Sequence, residues 1–213
     1  MTVEQFEMGG DRNYGYLIVD DESGNAAVID PCNVPQKIVD YARDRDFSIV
    51  YAFNTHLHHD HVNGNARFEK MTNVKVLCFG MTEPNLGITI DDGATLPLGE
   101  ANVRIMHTPG HTRDSMAILT KNAVITGDTL FVGKVGGTSS IEDAQAEYNS
   151  LHDKLMLLPD NFRVYPGHDY GTSPTSTIGE EKRSNPFILQ PDFEAFVHLK
   201  KNWAIYKREH GIS

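Results

Sequence analysis

An α/β fold is predicted from three observations. Short apolar runs of strand type alternate with helical patterns along the chain. Most of these strands are continuous apolar segments of the buried kind, so helices should cover both faces of the sheet. The rhythm of the first half then recurs in the second. At 213 residues the chain fits a single domain, 1–213, ending in a short helical C-terminal segment from about residue 174.

The elements follow in order. Tyr14–Asp20 and Ala26–Asp30 flank Asp21-Glu22-Ser23-Gly24-Asn25, a turn-rich link that predicts a hairpin. Pro35 opens a helix reaching about Asp46, because proline is tolerated in the first turn. Ser48–Asn54 is a buried-type strand, followed by a short helix from about Asn65 to Met71 and a strand Val74–Phe79. Val103–His107 is the next strand, and Ser115–Thr120 with Ala123–Thr126 forms a second hairpin around Lys121-Asn122. Ser139 with Glu142 three positions on is a capping-box pattern. Ala144, Tyr148, Leu151, Leu155 and Leu158 then lie on one helical face, ended by Pro159. Phe162–Tyr165 is a further strand, and Gly171–Glu181 reads as a polar surface loop near the site. A last helix, about Asp192 to Glu209, carries Phe193, Phe196, Leu199, Trp203 and Tyr206 as a core-packing stripe.

Composition narrows the function classes. Net charge is −10 and the pI about 5.4, which argues against nucleic acid or an anionic membrane as partner. A small anionic substrate stays open, because a metal centre reverses the local field. No stretch reaches the length of a membrane span, and the N-terminus lacks a secretory pattern, so a cytoplasmic location is expected. Cys32 and Cys78 belong to no C-x-x-C pair and are expected as buried free thiols. Assembly into a homo-oligomer is left open.

The chemistry concentrates at the ends of strands. Thr55-His56-Leu57-His58-His59-Asp60-His61 packs four metal-ligand side chains into six positions. In an extended segment His56 and His58 share a face, while Asp60 and His61 lie past a bend and aim at a second point. The spacing therefore suggests two ions. Later strands deliver His111, Asp128 and His168, each beside a glycine (Gly110, Gly127, Gly167) that allows a tight turn. Ligands from several strand ends converge along one sheet edge in α/β proteins. His59 should point away from His58, and His107 is ambiguous. His152, His198 and His210 sit on predicted helices as packed or solvated residues. Thr55 and Asp169 are expected to accept the second N–H of ligand imidazoles.

His56-x-His58-x-Asp60-His61, His111 after 50 residues, Asp128 after 17 more and His168 after 40 more resemble the metallo-β-lactamase superfamily. The resemblance implies an αββα sandwich of two mixed sheets packed face to face with helices outside. Within the superfamily, Thr108-Pro109-Gly110-His111-Thr112 and Gly127-Asp128-Thr129-Leu130-Phe131 resemble the glyoxalase II (hydroxyacylglutathione hydrolase) group. That resemblance implies that His56, His58 and His111 hold one ion, that Asp60, His61 and His168 hold a second, and that Asp128 bridges them. Asp60 and Asp128 are then the catalytic carboxylates, and the ions are two divalent metals, zinc or else iron or manganese. Persulfide dioxygenases are also similar, and imply a single Fe(II) on His56, His111 and Asp128. In the loop after Phe131, Gly137 stands where glyoxalase II carries a glutathione-binding basic residue, and Lys134 lies nearby in a different register.

The expected reaction is thioester hydrolysis by a metal-activated hydroxide, on a small-molecule thioester or other glutathione-derived substrate. A thiolate leaves without a proton donor, which suits a site that shows none. Tyr170 is expected to bind substrate through its hydroxyl. The alternative is a mononuclear iron dioxygenase oxidising glutathione persulfide.

Overall fold

The computed structural model describes residues 1–211; positions 212 and 213, the last of the expected domain, lie outside the described residues. Two mixed sheets face each other. The first orders as β1 (Thr2–Gly9), β2 (Asn13–Val19), β3 (Asn25–Ile29), β4 (Ser48–Phe53) and β5 (Val76–Leu77). The second comprises β6 (Thr95–Leu98), β7 (Ala101–His107), β8 (Met116–Leu119), β9 (Ala123–Gly127), β12 (Arg163–Pro166) and β13 (Ser176–Thr177). They are ordered β13-β12-β9-β8-β7-β6. Between β9 and β12 in the chain, Leu130–Phe131 (β10) and Lys134–Val135 (β11) form a separate small ribbon.

Alternation along the strands builds the layers. On β2, Tyr16 and Ile18 face the second sheet, where they meet Leu96, Ile105, Ile118 and Ile125 in the central core. Their neighbours Leu17 and Val19 face outward, onto Ile38 and Ala42 of α1 (Gln36–Arg43) and Phe68 of α3 (Asn65–Thr72). Ala117, Leu119, Val124 and Val164 of the second sheet likewise turn outward. They meet Leu151 of α4 (Ile141–His152) and Phe196 and Leu199 of α6 (Phe193–Lys201). The result is the helix–sheet–sheet–helix sandwich that the resemblance implies.

Several expectations need correction. β1 and β6 are strands that the sequence pattern did not reveal; β1 is an edge strand with Glu4 and Glu7 interrupting its alternation, and it bulges between Glu7 and Gly9. α1 stops at Arg43, before Asp46 takes a left-handed φ of 58°. α4 is capped by Ser140, whose Oγ accepts from Asp143 N at 3.0 Å, one residue later than the Ser139–Glu142 pattern. It ends at His152, and Leu155–Leu157 continues as a 3-10 turn. Gly171–Glu181 is only partly loop: Ser176–Thr177 pairs with β12, and Thr177 caps α5 (Ile178–Ser184). The last helix divides at Asn202 into α6 and α7 (Trp203–His210). Both cysteines are free, Cys32 buried and Cys78 only half-buried.

Candidate metal centre

The carboxyl-terminal ends of β3, β4, β7, β9 and β12 all open on one edge of the sandwich, and the candidate residues hang from the connections there. His56 and His58 follow β4 in extended chain. A single turn of helix, α2 (His59–Val62), then presents Asp60 and His61 side by side. His111 follows β7, Asp128 follows Gly127 at the end of β9, and His168 follows Pro166-Gly167 at the end of β12.

The seven side chains converge. One donor atom from each of His56, His58 and His111 lies within 4.8 Å of the others, as do donors of Asp60, His61 and His168, and of His56, His61 and Asp128. His58 Nδ1 stands 3.0 Å from His56 Nε2 and 2.9 Å from His111 Nε2. His61 Nε2 and His168 Nε2 are 3.2 Å apart. Asp128 reaches both groups, with Oδ2 3.5 Å from His111 Nε2 and 3.4 Å from His168 Nε2, and Oδ1 3.3 Å from His61 Nε2.

Hydrogen bonds on the far side of each ring decide which nitrogens carry protons. His61 Nδ1 donates to Asp30 Oδ2 (2.9 Å), His111 Nδ1 to the Gly137 carbonyl (2.8 Å) and His168 Nδ1 to the Asp11 carbonyl (2.8 Å). Thr55 Oγ1 gives its one proton to Asp30 Oδ2 (2.7 Å), so it accepts from His56 Nδ1 (3.1 Å). Four Nε2 lone pairs thus face inward beside two carboxylates. Like lone pairs about 3 Å apart repel unless a cation lies among them, and ligand atoms around a tetrahedral zinc are about 3.3 Å apart. Asp128 Oδ1 is buried and has no hydrogen-bond partner, as expected of an atom reserved for a cation. The residues present therefore fit divalent metal ions.

Electrostatics divide the cluster. Burial lowers the His56 pKa to about 3, with His61 adding to the effect, so its ring is neutral and free to ligate. Burial also lowers that of His111. His61 and His168 go the other way: burial opposes their charge, but the Asp30 and Asp128 carboxylates beside His61 and the Asp128 carboxylate beside His168 outweigh it and raise both pKa values. These two rings in return hold the Asp128 carboxyl well below its usual range against the effect of burial. Metal ions at the two Nε2 atoms would take the place of those protons.

Three supporting residues escaped the sequence reading. Asp30, at the end of β3 with a left-handed φ of 50°, is buried. It accepts from His61, Thr55 Oγ1 and the Thr55 amide (2.8 Å). Its signal was present, because β3 is one more strand ending in a ligand-type residue. Asn13 Nδ2 donates to Asp60 Oδ2 at 2.8 Å. The Asp11 carbonyl takes the His168 contact expected of Asp169, whose own amide donates to the Arg12 carbonyl. The glycines divide by mechanism. Gly127 turns at φ 51° and a Cβ on it would also meet Thr55 Cβ at 2.6 Å, whereas Gly167 has no positive φ and is needed for space alone, since its Cβ would meet Asp128 Oδ1 at 2.2 Å.

Tyr170 stacks on His168 at 4.6 Å and donates to Asp11 Oδ2 at 2.5 Å. Lys134 Nζ and the Arg12 guanidinium lie 4.7 and 4.9 Å from its ring centroid. Gly137 is exposed and offers the site its carbonyl. His59 is exposed, and His107 stacks on Phe79 with Nε2 bonded to the Arg113 carbonyl. His152 packs on Tyr148, while His198 and His210 are exposed helical residues. None of these five joins the cluster.

Comparison with known proteins points the same way. The model of the metallo-beta-lactamase superfamily matches residues 8–96 and 79–168. A Schizosaccharomyces pombe protein named "Probable hydroxyacylglutathione hydrolase" is 30% identical over 231 residues, covering 92% of this chain and 90% of that one. The mitochondrial persulfide dioxygenase ETHE1 of Bos taurus is 30% identical over 191 residues, with 87% and 75% covered. The crystal structure of ETHE1 from Myxococcus xanthus superposes with a TM-score of 0.85 at 31% identity, over 95% of this chain and 91% of that one.

Proposed function

The chain belongs to the metallo-β-lactamase superfamily, and from that premise we propose that it is a metal-dependent hydrolase of thioesters, acting on a hydroxyacylglutathione-type substrate. The observation that carries this reading is the inward-facing donor set. His56, His58 and His111 would hold one ion, Asp60, His61 and His168 a second, and Asp128 both. When bound, divalent ions supply Lewis acidity, polarising a carbonyl and bringing the pKa of water from about 15.7 toward 7.

The chain's own residues supply the rest. Asp128 keeps its charge at neutral pH, and with its oxygens turned to both donor groups it would hold the ions and orient a water beside them. Asp60, fixed by Asn13, holds the opposite side. Lys134 and Arg12 flank the Tyr170 ring beside His168 and are suited to the carboxylates of a glutathione-derived substrate in the place of a basic residue at Gly137, while the Tyr170 hydroxyl, expected to bind substrate, has its one proton committed to Asp11. No proton donor is needed for the leaving group, because a thiol with a pKa of about 8.5 departs as thiolate. That favours thioesters over amides.

The persulfide dioxygenase reading has its own support in the likeness to the two ETHE1 proteins. It would use one Fe(II) on His56, His111 and Asp128. Assaying metal-reconstituted protein separates the two. Thiol release from a hydroxyacylglutathione without oxygen consumption supports the hydrolase; oxygen uptake with glutathione persulfide and no thioester turnover overturns it.

A further inference from the structure

Behind the His111 side of the site lies a buried ion pair with no counterpart in the chemistry above. Glu147, on α4, is fully buried. Lys200, near the end of α6, reaches across to it and donates to Glu147 Oε2, and its Nζ also donates to the Gly136 carbonyl at 2.7 Å. The other Glu147 oxygen, Oε1, is buried without a partner.

These contacts end at a candidate metal ligand. A Cβ built on Gly136 would stand 2.9 Å from Glu147 Oε1 and 3.1 Å from His111 Nδ1. The loop glycine is thus sandwiched between the carboxylate and the imidazole edge. The next residue, Gly137, offers the carbonyl that accepts from His111 Nδ1. That bond keeps the proton on Nδ1 and turns the Nε2 lone pair toward His58 and Asp128. Lys200 lies beyond residue 168, where the match to the superfamily model ends.

A buried ion pair is a poor way to gain stability, since taking both charges out of water offsets their attraction, and apolar replacements of similar volume are often as stable. In some proteins such a pair instead fixes the position of the groups around it. We propose that Lys200 and Glu147 are positioning residues that clamp the Gly136–Gly137 loop from the C-terminal helix, holding His111 in its ligating tautomer and orientation. The inference rests on the reading of His111 as a metal ligand.

The test compares wild type, Lys200→Met, and the double variant Glu147→Leu/Lys200→Met, whose apolar pair fills the same space. Zinc affinity is measured by competition with a chromophoric chelator, with the cobalt(II) absorption spectrum and thermal melting alongside. In both variants one ion should bind about 10–100-fold more weakly, while the other is unchanged. The cobalt spectrum should change in the same variants. The double variant should melt close to wild type, which separates positioning from packing; if Lys200→Met alone does not fold, the double variant carries the test. Wild-type affinity for both ions in the double variant overturns the proposal and leaves the pair as packing. A wild-type chain that binds no divalent metal overturns the metal reading itself, and with it this inference.

Discussion

At the scale of single residues, the site depends on carboxylates that never touch a substrate. Asp30 is the clearest case. It sits fully inside the protein and satisfies an imidazole, a hydroxyl and a backbone amide at once. Burial alone would raise its pKa, but His61 and the Thr55 amide outweigh that and lower it. Asp30→Ala leaves those donors unpaired, so urea denaturation should show a loss of about 3–5 kcal/mol. Zinc competition should show about 10–100-fold weaker binding, because His61 loses the acceptor that fixes its ring. An unchanged zinc affinity in a folded variant would mean that Thr55 and the α2 backbone suffice. The ligands themselves were legible in the sequence because metal chemistry restricts residue type and crowds His56 to His61 together. Asn13 and Asp11 were not, because their contribution comes from a tight turn after β1 that brings a main-chain carbonyl and an amide to His168 and Asp60.

At the scale of elements, the short helix α2 must enter the site at a fixed angle, and Gly64 sets it. A Cβ there would lie 2.0 Å from the Pro31 carbonyl and 2.9 Å from the Cys32 carbonyl carbon, both rigid backbone. Gly64→Ala should therefore destabilise by several kcal/mol, on the order of 3 or more, read as a fall in urea midpoint. A midpoint within error of wild type would show that the α2–α3 joint is free to shift. Apolar strands such as Asn13–Val19 and Ala123–Gly127 were readable because burial on both faces leaves no polar alternation to confuse them; Ser48–Phe53, expected as a buried-type strand, is buried only at Ala52 and Phe53 and exposes Ser48 and Val50. The weaker elements β1, β6, β13 and α5 were not. All three strands lie at sheet edges, where pairing with a neighbour does what side-chain pattern does elsewhere. The break at Asn202 is equally silent in the sequence, because the stripe from Phe193 to Tyr206 continues across it.

At the scale of the whole molecule, stability should carry the signature of its buried acid. Burial pushes the Glu147 carboxyl from 4.5 up to about 7 despite the opposing pull of Lys200. The ion pair with Lys200 therefore forms above about pH 7, and between 4.5 and 7 the folded chain holds a proton that the unfolded chain has released. Stability from this group is thus present below about pH 4.5 and lost as pH rises through 7. Relative to Glu147→Gln, the wild type should lose on the order of 3 kcal/mol across that window, measured by urea denaturation at each pH. A difference that does not change with pH would contradict it. The sandwich itself was implied by the resemblance and is borne out, with an apolar core between the sheets and one on each outer face. Among the described residues no helix is long and apolar enough to cross a membrane.

Seven side chains from four separated strand ends would together hold two divalent cations. Elemental analysis after reconstitution with excess zinc and removal of the unbound metal tests it most directly. Two zinc ions per chain, falling when Asp128 is changed to Asn, is the expected result. One ion or none in the wild type, with the fold intact, would contradict it.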